Sequence, residues 1–573
     1  MNQPGFTMFF ADLRRWLLAL LILFSLLPAA ARAQETAPDA VVAKIDAPVL
    51  AALQAGETVS FIVLMTEQAN LKQAETLRSK EAKGRFVYQT LASMAQRSQA
   101  ALQAELTRRD VAFRSLYIVN ALVVEGDLAL ANALAKRADV AQLVANPTVH
   151  QELESVEAAP ATDDPQAAEW GVADVSAPQA WTTYGVTGAG IVIAGQDTGV
   201  RFDHTALLAH YRGWNGITSD HNYNWWDAIH VDSGGANPCG INLTAPCDDH
   251  GHGTHTVGTV VGDDSAGNQI GVAPGAKWIA CRNMESGDGT PARYAECFQF
   301  FLAPTDLAGQ NADPARAPHI INNSWGCPTS EGCTSATWGV IQTVQQALRA
   351  AGVLVVASAG NSGSACSTIL TPLAIFPESF AVGNYTSSHT ISNSSSRGPR
   401  YFTNIPGPDV SAPGTTIRSA LNGSTTSYGT MSGTSMAGPH VVGVAALLWS
   451  AVPELVGQIP ATEQYLRETA IKDVSNTTCG AGTNTAPWNT WDNVFGWGRV
   501  NAVSVIKAAR CPADINYDRT VDIIDIALVA SQWNLSVGDA GYNARRDLNF
   551  DNSITVQDLS LLADQWQTVC PAS

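Results

Sequence analysis

The chain reads as an α/β protein whose large, mostly parallel sheet is covered by helices on both faces, with a small α+β unit before it and a small all-α module after it. Three observations carry this reading. From about Trp170 to Arg510, short unbroken apolar runs at 191–194, 320–322 and 353–357 alternate with helical patterns such as 340–350; strands buried on both faces have that composition. The stretch from Gly433 through Trp449 is apolar nearly all round, which puts a helix in the centre of the fold. Near the C-terminus, Asp514-Ile-Asn-Tyr-Asp518 recurs 33 residues later as Asp547-Leu-Asn-Phe-Asp551, each copy followed by a short apolar helical pattern.

The first element is a leader. Arg14 and Arg15 precede an apolar run over 16–27, and small residues stand at Ala31 and Ala33, the order of a signal peptide cleaved after Ala33. A membrane anchor is the rival, but the run is shorter than the roughly 20 residues a spanning helix needs. Export to an extracellular location follows, with no membrane partner. Next comes a unit without cysteine: a buried strand at 59–65, an Ala/Gln-rich helix over 69–109, a second strand at 116–124 and a short helix at 128–135. Residues 152–164 are acidic and Ala-rich, with Pro160 and Pro165, and read as an exposed linker open to cleavage. A removable pro-segment uses such a layout; a permanent N-terminal domain is the alternative.

The 573 residues carry 33 Lys plus Arg against 51 Asp plus Glu, a formal net charge of −18, which repels polyanions and argues against nucleic acid as a partner. All 10 cysteines lie between Cys239 and Cys570, an even number in an exported chain and so a disulfide framework. Short spacings suggest Cys239 with Cys247, Cys281 with Cys297 and Cys327 with Cys333. The other four pair among themselves in an order that sequence does not fix; Cys366 with Cys479 and Cys511 with Cys570 is the arrangement expected.

The chemistry sits in four short motifs: Asp197-Thr198-Gly199, His252-Gly253-Thr254-His255, Gly360-Asn361 and Gly433-Thr434-Ser435-Met436-Ala437. A serine hydroxyl needs a histidine to take its proton, and the histidine needs a carboxylate to hold its tautomer. Asp197, His252 and Ser435 supply that set. Asp197 follows an apolar strand at the carboxyl edge of the sheet, where ligands of open α/β sheets gather. Ser435 opens the buried helix among small neighbours, and the backbone N–H groups and dipole of that helix end suit an oxyanion. The Ser435 N–H is one expected donor and the Asn361 side chain the other. Taken singly these are common turn sequences, and only the ordered set is specific. His252, His255 and Asp249 could instead be metal ligands, but zinc wants three or four protein ligands. His255 is expected to be structural, no cofactor is expected for catalysis, and the Trp- and Asn-rich loop over 214–249 is assigned no role.

The carboxylate, histidine, serine order and these motifs resemble the subtilisin-like serine peptidases of peptidase family S8 over about Trp170 to Ala509. The resemblance implies a three-layer subtilisin-like fold and endopeptidase action on protein or peptide substrates. Further matches are Gly271-Val272-Ala273-Pro274, Ser395-Ser396-Arg397-Gly398-Pro399 and Pro439-His440. Asn323-Ser324-Trp325-Gly326 resembles the family's substrate-binding strand, which implies Ser324, Trp325 and Gly326 as substrate contacts. The runs 277–284 and 323–328 are similar to those of the bacillopeptidase F subgroup. Residues 61–66 and 117–124 resemble the family's inhibitory propeptide, which implies removal by a cut between about Glu152 and Glu169. One position departs: the carboxylate near His204 that helps bind calcium in subtilisins is matched by Ala206, with Asp203 as the nearest substitute.

Calcium prefers several oxygens, which a loop supplies from carboxylates or amides at positions 1, 3, 5, 9 and 12 and a carbonyl at 7. The first repeat gives Asp514, Asn516, Asp518, the Thr520 carbonyl, Asp522 and Asp525; the second gives Asp547, Asn549, Asp551, the Ser553 carbonyl, Thr555 and Asp558. Val521 and Ile554 are the expected core anchors. Position 6, usually glycine, holds Arg519 and Asn552, and both loops end in Asp rather than Glu; Asn tolerates positive φ better than Arg. The paired loops, over about Cys511 to Cys570, are similar to type I dockerin, which implies structural calcium and a cohesin-type scaffold as partner. A calcium-stiffened terminal domain without that partner is the alternative.

The expected organisation is a signal peptide at 1–33, an inhibitory propeptide and linker at 34–165, a peptidase domain at 166–510 and a dockerin-like domain at 511–573. The expected function is a secreted serine endopeptidase acting through a Ser acyl-enzyme. Its alternative is a calcium-dependent binding or scaffold-docking protein with an inert peptidase domain.

Overall fold

A computed structural model describes residues 41–151, 153, 157–158, 168–234, 237–483 and 490–570. The expected signal peptide lies outside these residues, as does most of the expected maturation segment. In the N-terminal part, α1 (Ala47–Gln54), β1 (Val59–Met65), α2 (Lys80–Ser98), α3 (Ala100–Arg108), β2 (Phe113–Leu116), β3 (Ala121–Gly126), α4 (Leu128–Ala135) and β4 (Val140–Ala145) build an antiparallel sheet in the order β2-β3-β1-β4. The helix expected over 69–109 starts later and is broken, because Ser79 caps α2 by accepting the Ala82 N–H at 3.2 Å. The strand expected over 116–124 is two strands. A turn at Tyr117–Val119 and left-handed Asn120 (φ 44°) fold β3 back onto β2, a reversal that an apolar run does not reveal.

Alternation along β1, β3 and β4 gives this sheet two apolar faces. Phe61, Val63, Leu122 and Val124 pack on α1, α3 and α4. Ile62, Val123 and Val144 share a core with two helices of the larger body, α8 and α9 below. The chain then runs through two short strands, β5 (Val149–His150) and β6 (Glu157–Ala158), into α5 (Trp170–Asp174) and α6 (Ala177–Tyr184).

The larger body is a seven-stranded parallel sheet in the order β15-β14-β13-β12-β7-β9-β8. Its strands are β7 (Val192–Asp197), β8 (Trp225–Asp227), β9 (Lys277–Arg282), β12 (Ile320–Asn323), β13 (Leu354–Ser358), β14 (Phe380–Tyr385) and β15 (Val410–Pro413). Neighbouring residues face opposite layers. Ile193, Ile320, Leu354 and Phe380 join the core of α7 (His252–Val261), α10 (Thr434–Ala451) and α12 (Ala502–Ala509). Ala194, Ile321, Val355 and Ala381 join that of α8 (Pro291–Leu302) and α9 (Ser335–Ala350). This is the three-layer α/β fold that the unbroken apolar runs predict, and α10 is buried over nearly its whole length. Two hairpins flank the sheet: β10 (Met284–Glu285) with β11 (Asp288–Gly289), and β16 (Ile417–Ala420) with β17 (Tyr428–Met431).

All five expected disulfides are present, including Cys366–Cys479 and Cys511–Cys570. The C-terminal module has two helices, α13 (Ile523–Ala530) and α14 (Val556–Ala563), over a core containing Val521, Val529, Ile554 and Leu562. It seats on α11 (Ile459–Glu468) of the larger body: the Tyr517 hydroxyl and the Asn543 amide donate to Glu468 at 3.2 and 2.9 Å.

Candidate active site

A parallel sheet sends the carboxyl ends of its strands to one edge; β7, β12 and β13 thus bring Asp197, Asn323 and Ser358 to the same side. His252 is the first residue of α7. A Cβ on Gly253 would stand 2.1 Å from the Gly199 carbonyl oxygen and 3.0 Å from the Asp197 Cβ, so glycine is what lets the helix begin against the end of β7. There the His252 Nδ1–H donates to Asp197 Oδ1 at 2.7 Å, with both side chains buried. A carboxylate on Nδ1 makes Nε2 the basic nitrogen of the ring.

Asp248, which none of the four motifs includes, holds this arrangement. Its Oδ1 accepts the N–H groups of His250 and Gly251 at 3.0 and 2.8 Å and the Thr198 hydroxyl at 2.9 Å, while Oδ2 accepts the Thr254 N–H at 2.9 Å. One side chain thereby caps α7 and ties it to the residue after Asp197. An Asp four residues before His252 at a helix start is the signal that was available.

Ser435 is the second residue of α10 and is buried. Thr434 is fixed from several sides: its N–H and hydroxyl donate to Asn361 Oδ1 at 2.9 and 3.0 Å, and its carbonyl accepts the Ser358 hydroxyl at 2.9 Å. The Ser324 hydroxyl donates to the Ser435 carbonyl at 3.3 Å. Trp325 is buried, its ring stacked 3.9 Å from that of Tyr294, and a Cβ on Gly326 would meet Thr371 Oγ1 at 2.7 Å. Ser324 thus touches the nucleophile's own helix, whereas the Trp325 ring faces the core behind the cleft.

His255, one turn along α7, lies with Nε2 2.8 Å from the Ile417 carbonyl of β16, and Asp249 pairs with Arg282. Neither turns toward a shared metal. Deeper along α10, the His440 Nδ1–H donates to the Met436 carbonyl at 2.8 Å, and burial pushes the imidazole down to about 4.

The segment leaving the N-terminal sheet runs along this edge. β5 pairs antiparallel with β11, Val149 opposite Gly289 and His150 opposite Asp288, and the Gln151 N–H donates to the Gly287 carbonyl at 3.0 Å. β6 then pairs with β17, the strand that leads into Ser435.

The repeat loops of the C-terminal module carry oxygens of the kind that fit calcium. Asp514 Oδ1 is buried with no protein partner, an oxygen that a cation would satisfy. Arg519 and Asn552 both take left-handed backbone at loop position 6, with φ 79° and 69°, so the turn forms without glycine. Burial raises the Asp514 carboxyl above its ordinary value and pushes that of Asp547 up to about 6. The site near His204 does not fit calcium. Ala206 is apolar and buried, its carbonyl accepts the Asp263 N–H at 3.1 Å, and Asp203 pairs with Arg201 at 3.1 Å. Instead the Arg418 guanidinium bridges Glu169 and Asn268, each at 2.8 Å, over the ring of Tyr428.

Comparison with known proteins agrees with this geometry. Residues 188–498 match the subtilase family and residues 512–565 the dockerin type I domain. Bacillopeptidase F of Bacillus subtilis (strain 168) is 37% identical over 353 residues, which are 59% of this chain and 22% of that protein. The chain therefore spans 22% of the length of that relative. M-protease of Shouchella clausii (strain KSM-K16) is 30% identical over 64% of this chain and 77% of its own, and Subtilisin E of Bacillus subtilis (strain 168) is 30% identical over 52% and 67%. With most of its length matched to them and a dockerin type I domain at its end, the chain belongs to the subtilase family.

Proposed function

We propose that this chain is a secreted serine endopeptidase that hydrolyses protein or peptide substrates through an acyl-enzyme on Ser435. The observation that carries the reading is the buried 2.7 Å bond from His252 to Asp197, on the sheet edge to which the N-terminus of α10 brings Ser435. Ser435 attacks the peptide carbonyl while His252 Nε2 takes its proton, and Asp197 holds the ring and stabilises its cation. His252 then returns the proton to the leaving amine. A water molecule, activated by the same imidazole, releases the acyl group. The Ser435 N–H, at a helix N-terminus, and the Asn361 amide donate to the oxyanion. Ser324, Trp325 and Gly326 border the acyl side of the substrate through their backbone, the Trp325 ring lying behind it in the core.

Residues 1–33 serve as signal peptide and 34–165 as an inhibitory propeptide, a reading supported by the pairing of β5 with β11 along the cleft edge. Residues 166–510 form the peptidase domain and 511–573 the dockerin-like domain. In the latter, Asp514, Asn516, Asp518, Thr520, Asp522 and Asp525, and in the second loop Asp547, Asn549, Asp551, Ser553, Thr555 and Asp558, would hold calcium. The ion, when bound, offsets the repulsion among these carboxylates and stiffens the loops. A cohesin-type scaffold outside the cell is the partner that such a domain fits.

The test is labelling with a fluorophosphonate probe, wild type beside Ser435→Ala, with intact mass recorded. Labelling confined to wild type, with loss of about the first 160 residues, supports both nucleophile and propeptide. A mature wild type that stays unlabelled overturns the peptidase reading in favour of an inert, calcium-dependent binding protein.

A further inference from the structure

The loop before His252 carries a second buried carboxylate that the mechanism does not use. The side chains of Asp249 and Arg282 are fully buried and form an ion pair. Arg282 ends β9 directly opposite Asp197 in the pairing with β7, and it also donates to the Gly240 carbonyl and to Asn237 Oδ1, both at 2.8 Å. The other oxygen of Asp249 accepts the Ser286 N–H at 3.0 Å. Ser286 and Gly287 are the two-residue turn of the β10–β11 hairpin, with φ 47° and 102°. Such turns need positive φ at both central residues. Glycine adopts that backbone without penalty; serine does not. The bond from Asp249 therefore holds the one residue of the turn that would otherwise leave its conformation.

This turn sets the position of β11, the edge on which β5 and Gln151 already pair as an extended strand. We propose that Asp249 is a positioning residue for substrate: it fixes the Ser286–Gly287 turn, and through it the peptide-pairing edge, relative to His252 three residues away. This rests on the peptidase reading above. It also gives the loop over 214–249 a role, since Arg282 ties the Asn237 to Gly240 part of it to the same carboxylate.

Two substrates separate the effects: a peptide anilide with four residues on the acyl side, which reaches β11, and a single-residue ester, which does not. With enzyme counted by probe titration, Asp249→Ala raises KM for the long substrate about tenfold and leaves its kcat and the ester constants within about twofold. Asp249→Asn, which keeps an acceptor for the Ser286 N–H, raises KM less and carries the comparison if the alanine variant gives no titratable enzyme. Adding Ser286→Gly to Asp249→Ala recovers most of the loss, because glycine holds the turn unaided. Equal losses on both substrates, or no recovery with Ser286→Gly, overturn the inference while leaving an active wild type. An unlabelled wild type overturns the peptidase reading itself.

Discussion

Asn361 Oδ1 accepts both the N–H and the hydroxyl of Thr434, the residue before Ser435, at 2.9 and 3.0 Å. With its oxygen committed to the helix end, the Asn361 amide would, in the proposed mechanism, offer its N–H side to the oxyanion. That orientation is worth more than the presence of the side chain, because a preorganised donor costs no rearrangement as charge develops.

Asn361→Leu is therefore expected to lower kcat by about 10²- to 10³-fold with KM nearly unchanged. Thr434→Val, which removes one of the two bonds that orient the amide, should lower kcat by a smaller factor in the same direction. Steady-state kinetics on one peptide anilide check both.

His440 ties acid stability to the nucleophile's helix. Its ordinary value of 6.5 falls to about 4 through burial, so the unfolded chain binds more protons between these values. The contribution to stability is full above pH 6.5 and is lost as pH falls toward 4; integrated, it is about 3 kcal/mol. Urea unfolding from pH 7 to 4 should show this loss, and His440→Leu should flatten the profile over that window.

The motifs of the candidate site were legible because each is local: Asp197 follows the apolar run at 191–194, and Ser435 begins a helix that is apolar nearly all round. The two acids before His252 were not legible. Asp248 and Asp249 stand side by side in a polar loop, and their opposite tasks depend on Thr198, Arg282 and Ser286, which only the folded sheet brings near. The reversal at Asn120 escaped for a related reason, since one left-handed residue inside an apolar run leaves the periodicity intact. Arg418, which bridges Glu169 and Asn268, was not legible either, because it lies in a strand more than 200 residues from Ala206.

Arg418 fills the role of a bridging cation between the start of the larger body at Glu169 and the loop that holds Asn268. In a chain with both terminal loops disabled by Asp514→Ala and Asp547→Ala, a chelator should leave the thermal midpoint of the peptidase domain unchanged. In the same background Arg418→Gln should lower it by about 3 °C. A chelator effect as large as that of the substitution, in differential scanning calorimetry, would argue for a metal in the peptidase domain.

In the intact chain, calcium should reach the peptidase domain by a different route. Arg545 is buried at the seam, donates to the carbonyls of Asp514 and Ile515 at 2.5 and 2.8 Å, and lies 4.1 Å from the ring centre of Tyr517 and 5.3 Å from that of Tyr465. Asp514, Ile515 and Tyr517 belong to the first loop, whereas Tyr465 belongs to α11. The surface that an ion would stiffen is thus the surface that seats on the larger body. Calcium at about 100 times its dissociation constant should add about 2.7 kcal/mol to the module, and part of that gain should appear in the peptidase transition. Arg545→Met keeps the apolar stem but removes the donors to the loop. It should leave calcium binding to the module within a few-fold by isothermal titration calorimetry, yet abolish the calcium-dependent rise of the peptidase transition and open the junction near residue 510 to limited proteolysis. If that transition still rises with calcium in Arg545→Met, the coupling runs through Glu468 and its partners Tyr517 and Asn543, and Glu468→Gln becomes the substitution that removes it.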